Sequence, residues 1–255
     1  FGFKNRIING DMRIDQRNAG AAVTPGTQYT LDRWGTAVSQ ASRFTVQQNA
    51  GSVTPPAGFN NYLGVTASSA YSVLSGDYFS LYQIAEGYNA GDLSWGTANA
   101  QTVTLSFQVR SSLTGTFGGA VKNGVANRSY PFTYSIPVAN TWTTVSITIV
   151  GDTTGTWATN NTAGIQVQFG LGGGSTFSGT AGAWAAGNLV TATGATSVVG
   201  TSGATFYITG VQLEKGSTAT SFDYRDYGRE LIMCQRYYEI MGDGNTQFAG
   251  ITTSS

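Results

Sequence analysis

Apolar and polar residues alternate along several short stretches of the chain. In residues 102–109, Val103, Leu105, Phe107 and Val109 fall on one side, and Thr104, Ser106 and Gln108 on the other. Residues 144–150 repeat the pattern with Val145, Ile147 and Ile149, and residues 165–169 with Ile165, Val167 and Phe169. Residues 130–136 alternate through Tyr130, Phe132, Tyr134 and Ile136. Further candidates are 44–47, 62–66, 78–84 and 205–213. A period of two marks a half-buried strand. Burying four apolar side chains of one strand yields roughly 6–12 kcal/mol, whereas ordering eight backbone residues costs about 8–16 kcal/mol. Such strands must therefore pair and stack. The pattern predicts an all-β fold: an antiparallel β-sandwich, or jelly roll, over residues 1–222. The inward set is Val103, Leu105, Phe107, Val145, Ile147, Ile149, Ile165, Val167 and Phe169.

Two stretches break the alternation. Residues 171–203 are dominated by Gly, Ala, Ser and Thr yet carry Phe177, Trp184 and Leu189. They read as one long excursion between two strands, with Trp184 as its only strong anchor. Residues 226–240 instead place Tyr227, Leu231, Cys234 and Tyr238 at i, i+4, i+7 and i+11, one face of a short C-terminal helix. That stripe must be covered, by the sandwich or by another copy of the chain. Residues 223–255 thus form a helix and connector, and 241–255 read as the start of a further segment.

Composition narrows the chemistry. The 255 residues include 35 Gly, 35 Thr and 23 Ser, and only 10% are charged. Thirteen basic and thirteen acidic residues cancel, which argues against a nucleic-acid binder tracking phosphates and against a polybasic membrane surface. No apolar run is long enough to cross a bilayer as a helix. The absence of histidine excludes Ser-His and Cys-His nucleophiles and His-ligated metals, and the single cysteine excludes an intrachain disulfide. Charges concentrate at the ends: nine lie in residues 1–43, ten in 214–243 and none in 153–213. This predicts that 5–17 lies against 214–229, with Arg-carboxylate pairs between them.

The charged ends also carry a resemblance. NRIINGDMRIDQR (5–17), followed by YTLDRW (29–34), is similar to the start of a module in tail fibres and related virion proteins of tailed bacteriophages. YITGVQLEKGSTATSFDYRDYGRELIMCQRYY (207–238) resembles its end, where a "VQLE-G" strand runs into an "F-x-R" turn and a helix closing in "CQRYY". The match covers about 60 residues. The resemblance implies a sandwich like that of carbohydrate-binding modules within a homotrimeric virion protein near the host-contacting end. The expected function is noncatalytic: trimer assembly and contact with the host surface, including its glycans, beside other tail or capsid proteins. Alternatives are a capsid-decorating or structural spacer, a surface-glycan depolymerase component, and a cellular carbohydrate-binding module attached to an enzyme.

Each candidate site has a plainer reading beside it. Trp95, Trp157 and Trp184 sit among Gly, Thr, Ser and Asn in loops, where flat rings can stack on sugars, although tryptophan commonly packs in cores. Trp34 and Trp142 sit beside strand patterns and read as core. Tyr71, Tyr78, Tyr82 and Tyr88 raise the same question more weakly. Asp11 with Asp15, or Asp223 with Asp226, could be imagined as a glycosidase pair, but Arg13, Arg17, Arg225 and Arg229 stand among them, so ion pairing is the reading. No catalytic residue, metal ligand or cofactor is expected. Calcium stays open, without EF-hand spacing. Leu231, Cys234 and Tyr238 are the candidate contacts between copies.

Overall fold

The computed structural model describes residues 4–241 and 246–248. Most of the segment expected after 241 therefore lies outside the described residues. In chain order the strands are β1 (Gln28–Leu31), β2 (Trp34–Val38), β3 (Phe44–Gln48), β4 (Leu63–Ala67), β5 (Tyr78–Glu86), β6 (Val103–Ser111), β7 (Gly115–Asn123), β8 (Arg128–Ile136), β9 (Thr143–Ile149), β10 (Ala163–Gly173), β11 (Ser178–Gly179), β12 (Ala185–Ala186), β13 (Thr191–Ala192) and β14 (Thr205–Lys215). Helix α1 (Tyr227–Gln235) and the pair β15 (Glu239–Met241) and β16 (Thr246–Phe248) follow.

Two antiparallel sheets form a sandwich. One has the order β1-β2-β5-β10-β7-β8-β12 and the other β3-β4-β14-β6-β9. Their apolar faces meet, because each alternating strand has one oily side that only the opposite sheet can cover. Phe107 of one sheet packs edge-on against Phe169 and Tyr134 of the other, each with ring centroids 5.0 Å apart. Phe117 meets Phe206 at 6.1 Å. Of the expected inward set all are buried except Ile147, which is half-buried near the edge on β9.

Strand β7 shows no alternation because both its faces are covered. Its inner face carries Phe117 and Val121, and its outer face lies under residues 188–196 of the long excursion. That excursion is held by more than Trp184: Val190, Ala192, Val198 and Val199 are buried, and Phe177 packs on Tyr78 at 4.7 Å. Glycines make the close approach possible. A Cβ on Gly118 would come within 2.5 Å of the Thr191 hydroxyl, and one on Gly170 within 2.6 Å of Thr191 Cβ. Lys122 is also covered, and burial pushes its ammonium down to about 8. It donates to Asn188 Oδ1 at 2.6 Å.

The two ends meet, but the contacts across the seam run to backbone groups, while the Arg–carboxylate pairs expected between the ends close within each of them. Asn5 Nδ2 donates to the Val211 carbonyl at 3.2 Å, and Asn5 Oδ1 accepts from the Leu213 amide at 3.1 Å. The Arg225 guanidinium reaches the Ile7 carbonyl at 3.1 Å and Glu230 at 3.2 Å. Asn9, wholly buried, clasps the 9–14 turn: its amide donates to the carbonyls of Ile14 and Asp32, and its Oδ1 accepts from the Ile14 amide. The Trp34 indole donates to the Asn9 carbonyl at 2.9 Å. The four carboxylates of the imagined dyads each have partners in their own segment. Asp11 pairs with Arg13 at 3.0 Å, Asp223 with Arg225 at 3.7 Å, and Asp15 accepts from the Asn18 and Gly20 amides. Asp226 caps α1 by accepting from the Arg229 amide at 2.9 Å.

The helix is shorter than its periodicity predicts, and its buried face is rotated so that Glu230 joins it and Tyr227 falls outside it. It ends at Gln235, and Tyr227 is 57% exposed. Glu230 and Cys234, one turn apart, are the buried pair. Cys234 packs on Ile8 and Ile14 of its own chain, with Leu231, Met233 and Tyr237 around it. A carboxylate on the buried face is invisible to an apolar stripe; Arg225 compensates its charge here. Tyr238 is buried too, with the Arg17 guanidinium 3.9 Å from its ring centre.

Candidate functional site

Three loops and one strand assemble an aromatic cluster at one edge of the sandwich. Trp95 comes from the β5–β6 connection, Trp157 from β9–β10 and Trp184 from the long excursion. Their rings meet edge to face: Trp95–Trp157 at 4.6 Å, Trp95–Trp184 at 5.4 Å and Trp157–Trp184 at 5.4 Å. Tyr130 of β8 adds a contact to Trp184 at 5.3 Å. The structure thus brings together the three loop tryptophans that the sequence singles out, from positions up to 89 residues apart. Trp95 is buried, while Trp157 and Trp184 are half-buried.

Backbone carbonyls fix all three indoles. The Nε1–H groups donate to Gln101 (2.7 Å), Thr154 (3.2 Å) and Val150 (2.7 Å) for Trp95, Trp157 and Trp184 in turn. Rings tied down in this way lose little further entropy on contact with a ligand. Beneath them Arg128 grips Asp152 with two bonds, Nε–Oδ2 at 2.8 Å and Nη2–Oδ1 at 2.7 Å. Asp152 Oδ1 also accepts from the Thr154 amide and hydroxyl. Burial alone would raise the Asp152 carboxyl, but Arg128 and Thr154 hold it below the usual carboxylate value. Gly155 adopts φ of 78°, and a Cβ there would stand 2.7 Å from Arg128 Cγ, so the loop needs glycine at this point. Asn123 completes the frame by donating to the Thr156 carbonyl at 3.1 Å and accepting from the Asn127 and Arg128 amides.

A shallow recess opens beside the cluster, with about 260 Å³ of empty space including its solvent side. Its lining is Ala90, Gly91, Ser94, Trp95, Trp157, Ala158, Thr159 and Ile165. Aromatic faces, hydroxyls and small side chains suit stacking and hydrogen bonding rather than proton transfer. Among the described residues no group of three or more Cys, Asp or Glu is placed to hold a metal ion.

The other aromatic candidates lie elsewhere. Trp34 is core, as its flanking pattern predicts. Trp142 packs on the outer face of the five-stranded sheet against Tyr62 at 5.6 Å and donates to the Thr54 carbonyl. Tyr71 donates to Asp77, and Tyr82 packs against Tyr29. Tyr88 is 65% exposed. Asp152 and Arg128 escape a motif search, yet they are the only charges between residues 123 and 213, a signal that they pair.

No protein-family model matches the chain, and no curated sequence does. Solved structures do resemble it. The enzymatically active domain of bacteriophage CBA120 tailspike protein 4 is 12% identical with a TM-score of 0.44, over 83% of this chain and 21% of that one. TmCBM61, solved in complex with β-1,4-galactotriose, is 10% identical with a TM-score of 0.41, over 84% and 99%. A putative sugar binding protein from Bacteroides thetaiotaomicron VPI-5482 is 12% identical with a TM-score of 0.45, over 84% and 100%.

Proposed function

We propose that the chain is a noncatalytic glycan-binding module of a tailed-phage appendage, with the edge of Trp157 and Trp184 as its sugar platform. The observation that carries this reading is the convergence of three loop tryptophans in one cluster, of which Trp95 and Trp157 line the recess. Their indole N–H groups are already satisfied, and two of the rings are half-buried, leaving an edge open to solvent. An aromatic face offers a sugar ring a large contact at low entropic cost. Ser94 and Thr159 beside it supply hydroxyls for the sugar's own. The lining favours binding over hydrolysis, because cleavage of a glycosidic bond ordinarily requires two carboxyls flanking it.

The phage assignment and the homotrimer rest on the resemblance of the two ends. Repetition of a weak site on one fibre raises the effective concentration of its partners, so a shallow recess suffices. Cys234 and Tyr238 are covered within their own chain, which leaves Leu231 as the half-buried member of the proposed contact. A glycan array with the intact chain tests the binding function, and light scattering tests assembly. Binding to a defined glycan by a species of three times the chain mass is expected. A monomer that binds no glycan would favour the structural-spacer reading, in which the tryptophans only pack.

A further inference from the structure

We propose that a second groove, between α1 and the segment following β5, continues the tryptophan recess, so that the ligand is an extended neutral oligosaccharide rather than a single terminal sugar. This rests on the glycan-binding reading and specifies its ligand class.

The groove holds about 640 Å³ of empty space, open side included. Glu86, Tyr88, Asn89, Met233, Arg236 and Tyr237 line it. It shares a wall with the first recess: residues 87–89 and 91–93 form two single-turn helices, with Asn89 facing one space and Ala90 the other. That wall is rigid. Arg6 donates to the Asn89 carbonyl at 2.8 Å and grips Asp92 with bonds of 2.7 and 2.8 Å. The Tyr88 amide donates to the Asn160 carbonyl at 2.8 Å, tying the wall to the loop that carries Trp157. Tyr88 is therefore an exposed ring on a fixed backbone, close in the fold to the tryptophan platform.

The chemistry of the groove selects the ligand. Its carboxylate and its guanidinium pair with each other, Arg236 Nη2 to Glu86 Oε2 at 3.0 Å and Nε to Oε1 at 3.2 Å. The pair presents no net charge, so an anionic sugar gains nothing here that a neutral one lacks. Met233 and Tyr237 give an apolar floor, Tyr88 a stacking face, and the paired charges and Asn89 a polar rim. Hydroxyl-rich rings with apolar faces fit that mixture.

The test uses the intact chain, calorimetry, and neutral gluco-, galacto- and malto-oligosaccharides of two, four and six units, with Tyr88→Ala and Trp157→Ala variants checked for fold by circular dichroism. In the best-bound series the six-unit glycan should bind about tenfold more tightly than the two-unit one, equivalent to about 1.4 kcal/mol. Tyr88→Ala should remove that gain and leave two-unit binding unchanged. Affinity independent of length, with Tyr88→Ala silent and Trp157→Ala weakening binding, would overturn the second subsite and leave the tryptophan platform standing. Failure of the parent chain to bind any member would overturn both.

Discussion

Asp152→Asn probes the frame that holds the tryptophan loops. The carboxylate is 2% exposed and accepts four bonds, two from Arg128 and two from Thr154. Truncating one partner of a buried ion pair commonly costs about 3–5 kcal/mol, because the other charge is left behind. Here the Arg128 side chain is 22% exposed, so water relieves part of that penalty, and asparagine keeps one acceptor. The expected loss is about 2–4 kcal/mol, or roughly 4–16 °C in melting temperature for a chain of this size. Urea unfolding followed by tryptophan fluorescence and far-ultraviolet circular dichroism measures it. Arg128→Met and the double variant complete a cycle, and the two single losses should sum to more than the loss of the double variant. A loss within about 0.5 kcal/mol, the range of an ordinary surface change, would refute the reasoning.

Three other outcomes are expected. Asn9→Ala removes three side-chain bonds inside the terminal seam and should cost about 3 kcal/mol or more by chemical denaturation, since the Ile14 and Asp32 backbone groups lose buried partners. Gly118→Ala should destabilise by about 1–3 kcal/mol and raise amide exchange at Val190, whose N–H bonds Phe177, and at Val198, whose N–H bonds Leu171, as the excursion lifts from β7. Stability against pH should show two opposed limbs. Asp11 and Asp32 are raised by burial, so their protonation in the folded state adds stability as pH falls through their folded values. Asp77 and Asp152 are lowered, against their burial, by the bonds they accept, so their contribution is present above the ordinary carboxylate value near 4 and is lost below it. Asp77→Asn should flatten the acid limb in a pH series of urea midpoints; an unchanged limb would remove Asp77 from the account.

The alternating strands were legible because each has one buried and one wetter face. β7 was not, since Gly118 lies under the 191–195 segment and Gly119 against the Phe132 ring, which leaves no polar half to alternate with. β1 and β2 were also missed: Thr30, Gly35 and Thr36 are buried there, and Tyr82 occupies the space a side chain on Gly35 would need. Charge distribution told that the two ends meet, but not that backbone groups would join them while the ion pairs close within each end. The buried Glu230 could not be read, because its partners Asn9 and Arg225 come from different segments. At the candidate site, composition marked Trp95, Trp157 and Trp184 as loop residues, but their meeting depends on three connections folding to one edge. The second groove was less legible still: Glu86 and Arg236 stand 150 residues apart and meet only because α1 docks on Ile8 and Ile14.

The central claim is that sugar meets the chain at the Trp157–Trp184 edge. The most direct measurement is a nitrogen–proton correlation spectrum of the five indole groups during titration with the glycan selected on the array. Each Nε1–H bonds a different carbonyl, so each resonance reports its own position. The account predicts saturable shifts of the Trp157 and Trp184 signals, a smaller shift for Trp95, and none for Trp34 or Trp142. Shifts confined to Trp142, or binding that leaves all five signals in place, would contradict it.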